Sequence, residues 1–165
     1  MKVLVTYVSR TGNTKKVAQA IFDQIKGARD IKEMQHVDTL DGYDLTFVGL
    51  PIEAYGPAKP AADFLQKHAA GRNIALFITH AAPQDSPDLP GYLANCKAAA
   101  AQAKLVSVFH CQGELSEQIA DFMTKSKDEK LIAWAKERPS TIGHPDAASL
   151  ERARRWTKEV TAKHR

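Results

Sequence analysis

Apolar positions along the chain come in short runs that alternate with helical repeats. Lys2 to Val8 is apolar and β-branched and predicts a short buried strand. From Asn13 to Lys26 the period becomes helical, with Val17, Ile21 and Ile25 on one face and Ala18 and Phe22 beside them. Ile31 to Val37 alternates (Ile31, Glu33 and Gln35 against Lys32, Met34 and His36) and predicts a more exposed strand. Asp44 to Leu50 is a third apolar strand, and Pro60 to His68 a short helix ended by Gly71. Asn73 to Thr79 is the most apolar strand, Gly91 to Ala103 an Ala-rich helix, and Leu105 to Cys111 a fifth strand.

Past Gly113 the pattern changes. Ser116 to Ala135 carries Ile119, Phe122, Met123, Leu131 and Trp134, but the polar stretch from Lys125 to Lys130 interrupts it, which predicts one broken helix or two short ones. Pro139 to Pro145 is turn-like. Asp146 then caps a last helix with Leu150, Ala153, Thr157 and Val160 facing inward.

Strands that alternate with helices imply βαβ units, hence an α/β fold with a five-stranded, doubly wound parallel sheet covered by helices on both faces. Continuous apolar runs in the central strands agree with burial on both sides. Ligands of such sheets bind beyond the carboxyl ends of the strands, where strand order reverses. The loops after strands one, three, four and five are therefore where chemistry belongs.

A chain of 165 residues, 44% hydrophobic and 25% charged, is the size of one domain, with no internal repeat. The longest apolar runs are too short to cross a bilayer. Met1 leads straight into a strand without a secretory leader, so a cytoplasmic protein with no membrane partner is expected. Cys96 and Cys111 form neither a disulfide framework nor a metal motif, and no metal site is expected. The net charge is +4, with a basic cluster (Arg152, Arg154, Arg155, Lys158, Lys163, Arg165) on the last helix. No recognition motif accompanies it, so a solvated outer face is expected rather than nucleic-acid binding.

The loop after strand one carries the most information. It reads Ser9-Arg10-Thr11-Gly12-Asn13-Thr14 and runs directly into a helix. A helix start presents unpaired N–H groups and the positive end of the dipole, and so attracts anions. Ser9, Thr11 and Thr14 add hydroxyls, Asn13 an amide, and Gly12 lets the backbone come close. Lys15 and Lys16 oppose the dipole in the first turn, and with Arg10 they make more sense beside a bound anion than in a turn that merely caps a helix. The loop lacks the Gly-x-x-x-x-Gly-Lys-Ser/Thr of nucleotide triphosphatases and the Gly-x-Gly-x-x-Gly of dinucleotide folds. Position nine is Ser, so the nucleophilic Cys of a small phosphatase is missing as well.

In this context Ser9-Arg10-Thr11-Gly12-Asn13-Thr14 resembles the FMN-phosphate loop of the flavodoxin family, and the order of elements extends that resemblance over most of the chain. Cys111-Gln112-Gly113 and Gly143-His144-Pro145 are similar to motifs of one subgroup. The resemblance implies a flavodoxin-like three-layer sandwich, strand order 2-1-3-4-5, over a single domain 1–165. It also implies FMN held by Ser9, Arg10, Thr11, Gly12, Asn13 and Thr14. By the same resemblance, Pro51, Ile52, Glu53, Ala54, Tyr55 and Gly56 after strand three touch the isoalloxazine ring, with Tyr55 as the stacking candidate. Thr79, His80, Ala81 and Ala82 after strand four line the other side. Family members commonly place a second aromatic there; this chain has none before Tyr92, in the next helix. His80 is expected to touch the ring edge, titrate near neutral pH, or serve as a structural hydrogen-bonding group. His144 is expected at the same rim or in a turn before the helix cap. Residues 114–141 read as a helical insertion, a lid or partner surface beside the cofactor.

Three functional readings follow from these residues. The leading one is an FMN-binding electron-transfer protein with no catalytic acid or base. The second is an FMN-dependent NAD(P)H:quinone or other small-molecule reductase. The third is a flavin-free interaction module, against which the intact loop argues. The electron carriers of this family are strongly acidic, whereas this chain has a sequence pI near 9.1. It cannot use their charge steering, which points to an acidic redox partner protein or a small-molecule acceptor. The chain is expected to work as a monomer or homodimer.

Overall fold

The buried runs assemble into one sheet. The computed structural model describes residues 1–164. Strands β1 (Val3–Tyr7), β2 (Arg29–Glu33), β3 (Leu45–Glu53), β5 (Asn73–His80) and β6 (Lys104–Gln112) pair in parallel in the order β2-β1-β3-β5-β6. Counted in chain order, the five parallel strands run 2-1-3-4-5. A sixth strand, β4 (Gly56–Pro57), folds back antiparallel on the end of β3.

Side chains of a strand point alternately to opposite faces, and here each face meets its own helix layer. Val3, Val5, Phe47 and Phe77 pack with Val17, Ala18 and Ile21 of α1 (Asn13–Gln24) and with Ala153 and Val160 of α7 (Ala147–Lys163). Leu4, Val48, Leu50, Leu76 and Ile78 pack with Phe64 and Leu65 of α2 (Lys59–His68) and Cys96 of α3 (Leu89–Ala99). Each fully buried Leu, Ile or Phe contributes about 2 kcal/mol, so these two layers hold the sheet. Gly49 sits in register with Phe77, and a Cβ there would lie 2.1 Å from the buried ring. The pairing of β3 with β5 thus requires a residue without a side chain.

Several boundaries differ from the sequence pattern. The edge strand is Arg29–Glu33 and not Ile31–Val37, because the chain turns at Met34–His36 into a 3₁₀ segment that buries Met34 under the sheet. The helix expected from Gly91 starts at Leu89 with Pro90 in its first turn and ends at Ala99. The interrupted stretch resolves into two helices, α4 (Glu117–Thr124) and α5 (Glu129–Lys136). Ser116 Oγ accepts from Ile119 N at 3.2 Å and Asp128 Oδ1 from Lys130 N at 2.9 Å, so each helix has its own N-cap. The stretch read as a turn from Pro139 instead begins within a short helix, α6 (Arg138–Thr141).

The insertion is tied to the carboxyl rim of the sheet. Leu115, Ala120 and Ala135 form a small apolar cluster with Met123 and with Ala81, which follows β5. Arg138 Nε donates to the Leu115 carbonyl at 3.0 Å, and Leu115 N donates to Thr141 Oγ1 at 2.9 Å.

Candidate functional site

The carboxyl ends of β1, β3, β5 and β6 bring the anion-seeking loop, the β3–β4 turn and the insertion to one rim. The loop enters α1 through Gly12, whose φ of 96° places it in the left-handed region. Glycine adopts that region without the steric penalty other residues meet. Ser9 Oγ accepts from Gly12 N at 3.1 Å and from Lys15 N at 3.4 Å, which folds the loop around the helix start. Among the described residues the N–H groups of Arg10, Thr11, Asn13 and Thr14 have no acceptor. Four free donors at the positive end of a helix are the physical signature of an anion cradle.

Two side chains of the loop are engaged elsewhere. Thr14 Oγ1 shares a hydrogen bond with Thr79 Oγ1 at 2.8 Å, both buried, locking the helix start to the end of β5. Asn13 Nδ2 donates to the Glu114 carbonyl at 2.9 Å, at the root of the insertion. Asn13 lies against Gly113, where a Cβ would come within 2.6 Å of its Nδ2. Toward an anion, Asn13 and Thr14 therefore offer backbone donors, leaving the side chains of Ser9, Thr11 and Lys15 and the terminal nitrogens of Arg10, whose Nε is held by Glu53.

Two cavities flank the loop. One, of about 560 Å³, is lined by Ser9, Arg10, Gly12 and Lys15 together with Glu33 and Lys67. The other, of about 440 Å³, opens between the β3–β4 turn, the segment after β5 and the insertion. Arg10 lines the first, Glu53 the second, and Arg10 Nε donates to Glu53 Oε1 at 2.9 Å across the boundary. The second cavity is walled by Ile52, Ala54 and Tyr55, by His80 to Pro83, and by Tyr92, Leu115, Ile119, Phe122 and Trp134. It is largely apolar, the character of a site for a flat organic ring.

The β3–β4 turn is strained and braced. Glu53 pairs with Gly56, leaving Ala54 (φ 47°) and Tyr55 (φ 71°) as a two-residue loop with both residues in the left-handed region. Such a conformation costs non-glycine residues about 1 kcal/mol or more each. Asn95 Nδ2 holds the Tyr55 carbonyl at 2.9 Å. The Tyr55 ring packs against Tyr92 and Trp134, with centroids 5.5 and 5.6 Å away.

His80 and His110 join ring to ring. His80 Nδ1 donates to the Ala82 carbonyl at 2.9 Å, because a carbonyl only accepts; His80 Nε2 must then accept from His110 Nδ1 at 3.0 Å. Burial pushes His80 down to about 4, against the expectation of titration near neutral pH, and it lowers His110 as well. His80 is thus a neutral brace of the segment after β5. Burial raises the Cys96 and Cys111 thiols to about 12, which keeps both protonated. His144 lines neither cavity; its carbonyl accepts from Glu114 N at 2.8 Å and orders the insertion root.

The second cavity also contains residues that the sequence reading did not assign to the site. Tyr92, Phe122 and Trp134 all line it, the last two supplied by the insertion. The signal was present in the spacing of Phe122, Leu131 and Trp134, but that spacing equally describes the inner face of a helix.

A doubly wound sheet with an anion-seeking loop after its first strand defines a class of ligand-binding α/β domains. A model of the flavodoxin domain matches residues 4–158, and the chain belongs to that family. It is similar to the flavodoxin-like domain-containing protein BilS of Clostridioides difficile (strain CD3), with 27% identity over 173 residues, covering 99% of this chain and 98% of that one. Among solved structures it resembles the Fusobacterium nucleatum flavodoxin bound to flavin mononucleotide (TM-score 0.62, 13% identity, 100% of both chains). It also resembles a WrbA-like flavodoxin of Agrobacterium tumefaciens (TM-score 0.60, 17% identity, 99% of both chains). Likenesses at this identity establish the fold. No helix among the described residues is long and apolar enough to cross a membrane.

Proposed function

We propose that this chain binds FMN, with the phosphate at residues 9–15 and the ring in the neighbouring apolar cavity, and that it works as an electron-transfer flavoprotein. The carrying observation is the row of free N–H donors at Arg10, Thr11, Asn13 and Thr14 beside a cavity walled by Tyr55. The donor set fits a phosphate: Ser9 and Thr11 hydroxyls, the Arg10 and Lys15 cations, and a helix dipole. The apolar, aromatic-walled cavity fits a flat heterocycle.

When bound, FMN supplies the redox chemistry. The chain's own groups bind, orient and exclude water. Ser9 shapes the cradle, Arg10 supplies a cation reaching toward Glu53, and Ile52, Tyr55 and Ala81 keep water off the ring site. The pI near 9.1 favours an acidic protein partner, in contrast to an acidic carrier that seeks basic ones. A second reading, an FMN-dependent reductase of a quinone or other small organic acceptor, draws support from the size and apolar lining of the ring cavity.

The test is a titration of the purified chain with FMN and with riboflavin, followed by flavin absorbance. Preference for FMN by tenfold or more supports the phosphate assignment; equal affinity, or binding of neither, overturns it. NAD(P)H oxidation with quinone acceptors and no protein partner then selects the reductase reading.

A further inference from the structure

The segment after β5, Ala81-Ala82-Pro83, puts no aromatic side chain beside the ring cavity. Tyr55 nevertheless does not stand alone. Trp134 of α5 and Tyr92 of α3 meet it there, with Tyr92 and Trp134 centroids 6.0 Å apart. We propose that Trp134 is a ligand-contacting wall residue of this cavity, placed there by the insertion to cover the flat ring that Tyr55 and the segment after β5 leave open. The proposal rests on the FMN reading above and extends it to a residue outside the two segments, after β3 and after β5, that the sequence assigns to the ring.

Four observations separate this role from ordinary packing. First, the insertion has its own apolar core, Leu115, Ala120 and Ala135 with Met123 packed on it, and Trp134 is not part of that core. Its ring instead lies against Tyr55 and Tyr92, residues of the sheet rim and α3. Second, Trp134 is only half-buried, and its indole N–H donates to no group among the described residues. The chain's other tryptophan, Trp156, is half-buried as well, but its contacts are spent: it packs against the core cluster, stacks on Phe109, meets Phe47 edge-on, and donates to Ser107 Oγ at 2.7 Å. Buried indoles usually find an acceptor; a half-buried, unspent one at a cavity wall has contact left to make.

Third, a cation sits beside all three rings. Lys130 lies one turn earlier on α5, and its ammonium sits 5.4, 5.7 and 5.9 Å from the ring centroids of Trp134, Tyr55 and Tyr92. The same ammonium pairs with Asp88 at 3.1 Å, which precedes α3. One cation thus links α5 to both neighbouring elements, through contacts that are individually weak at this exposure. Fourth, the wall closes the same cavity as Glu53, Tyr55, His80 and Ala82, the residues after β3 and β5 that the sequence assigns to the ring. A flat heterocycle gains contact area and π-stacking from such a surface without needing any specific polar partner.

The experiment compares Trp134→Ala and Trp134→Phe with the unmodified chain, titrating each with FMN and with riboflavin by flavin absorbance and by visible circular dichroism of the bound flavin. Stacking of a base on an aromatic side chain is worth about tenfold or more in affinity. Trp134→Ala is therefore expected to weaken FMN and riboflavin by the same factor of about ten, leaving their ratio unchanged, and to alter the visible dichroism. Trp134→Phe is expected to restore most of the affinity. Thermal melting without flavin controls for collapse of the insertion, and Ala120→Gly, in the insertion's own core and outside the cavity lining, supplies a melting shift of structural origin.

Unchanged affinities and an unchanged dichroism spectrum in Trp134→Ala overturn the proposal while leaving FMN binding intact. A loss that Trp134→Phe fails to restore, in proportion to a lowered melting temperature like that of Ala120→Gly, reassigns Trp134 to structure and also overturns it. Failure of the unmodified chain to bind FMN removes the underlying reading itself, an outcome distinct from both.

Discussion

Replacing Gly113 with alanine sets a methyl group 2.6 Å from Asn13 Nδ2, 2.9 Å from its Cγ and 3.0 Å from its Cβ. These separations are too short, so Asn13 has to move, and in moving it loses the 2.9 Å hydrogen bond to the Glu114 carbonyl. Overpacking of this kind costs about 1–3 kcal/mol, and the lost hydrogen bond about 1 kcal/mol. The sum of about 2–4 kcal/mol lowers the melting temperature by roughly 5–15 °C in a chain of this length. Asn13→Ala removes Nδ2 and Cγ and leaves only the 3.0 Å contact to Cβ. The double variant should therefore be more stable than the two single effects predict, by a coupling of about 1–2 kcal/mol. Urea unfolding of all four proteins reads this directly. Effects that add to within about 0.5 kcal/mol would refute the claim that Gly113 is required by the packing of Asn13.

The other expected outcomes use equally local contacts. Thr14→Val strands the buried Thr79 hydroxyl, now 2.8 Å from its partner, and should cost about 1–3 kcal/mol, most of it recovered in Thr14→Val/Thr79→Val, as urea midpoints will show. His80 is held near 4 by burial, with the Arg152 and His110 charges acting in the same direction and the Ala82 carbonyl opposing. Since an unfolded histidine titrates at about 6.5, the unfolded chain binds the extra proton. Stability is then complete above about pH 6.5 and falls, by up to roughly 3 kcal/mol, as the pH drops toward 4. His80→Asn should flatten that part of the urea-midpoint profile; a profile of unchanged slope excludes His80 as its source. Arg10 and Glu53 are 52% and 38% exposed, so Arg10→Ala should change stability by less than about 1 kcal/mol. It should weaken FMN at low salt while sparing riboflavin, so equal losses for the two flavins would count against Arg10 as a phosphate partner.

Much of the fold was readable because burial on both faces leaves continuous apolar runs, as in Val3-Leu4-Val5 and Ile74-Ala75-Leu76-Phe77-Ile78. The loop from Ser9 to Thr14 was readable because its helix start and its donors are neighbours in sequence. The second strand was displaced because Met34, apolar and in phase with a strand, buries itself from a 3₁₀ turn instead. What Thr14 and Asn13 do with their side chains depends on Thr79 and Glu114, 65 and 101 residues away, and no local pattern encodes such pairings. Trp134 was hidden for a related reason: its spacing marks an inner helix face, but only the tertiary arrangement decides whether that face meets the insertion's own core or the rim of the sheet.

The loop of residues 9–14 belongs to the first crossover of the sheet, while the outer wall of the apolar cavity belongs to an excursion that follows its last strand. Mutation therefore reaches the two through separate stretches of the gene. The Asn13–Glu114 tie fixes where the excursion begins, and leaves the composition of its helices free to drift. Lineages sharing this scaffold can trade one excursion for another and so reshape the outer wall of the cavity, with the loop that opens α1 inherited intact.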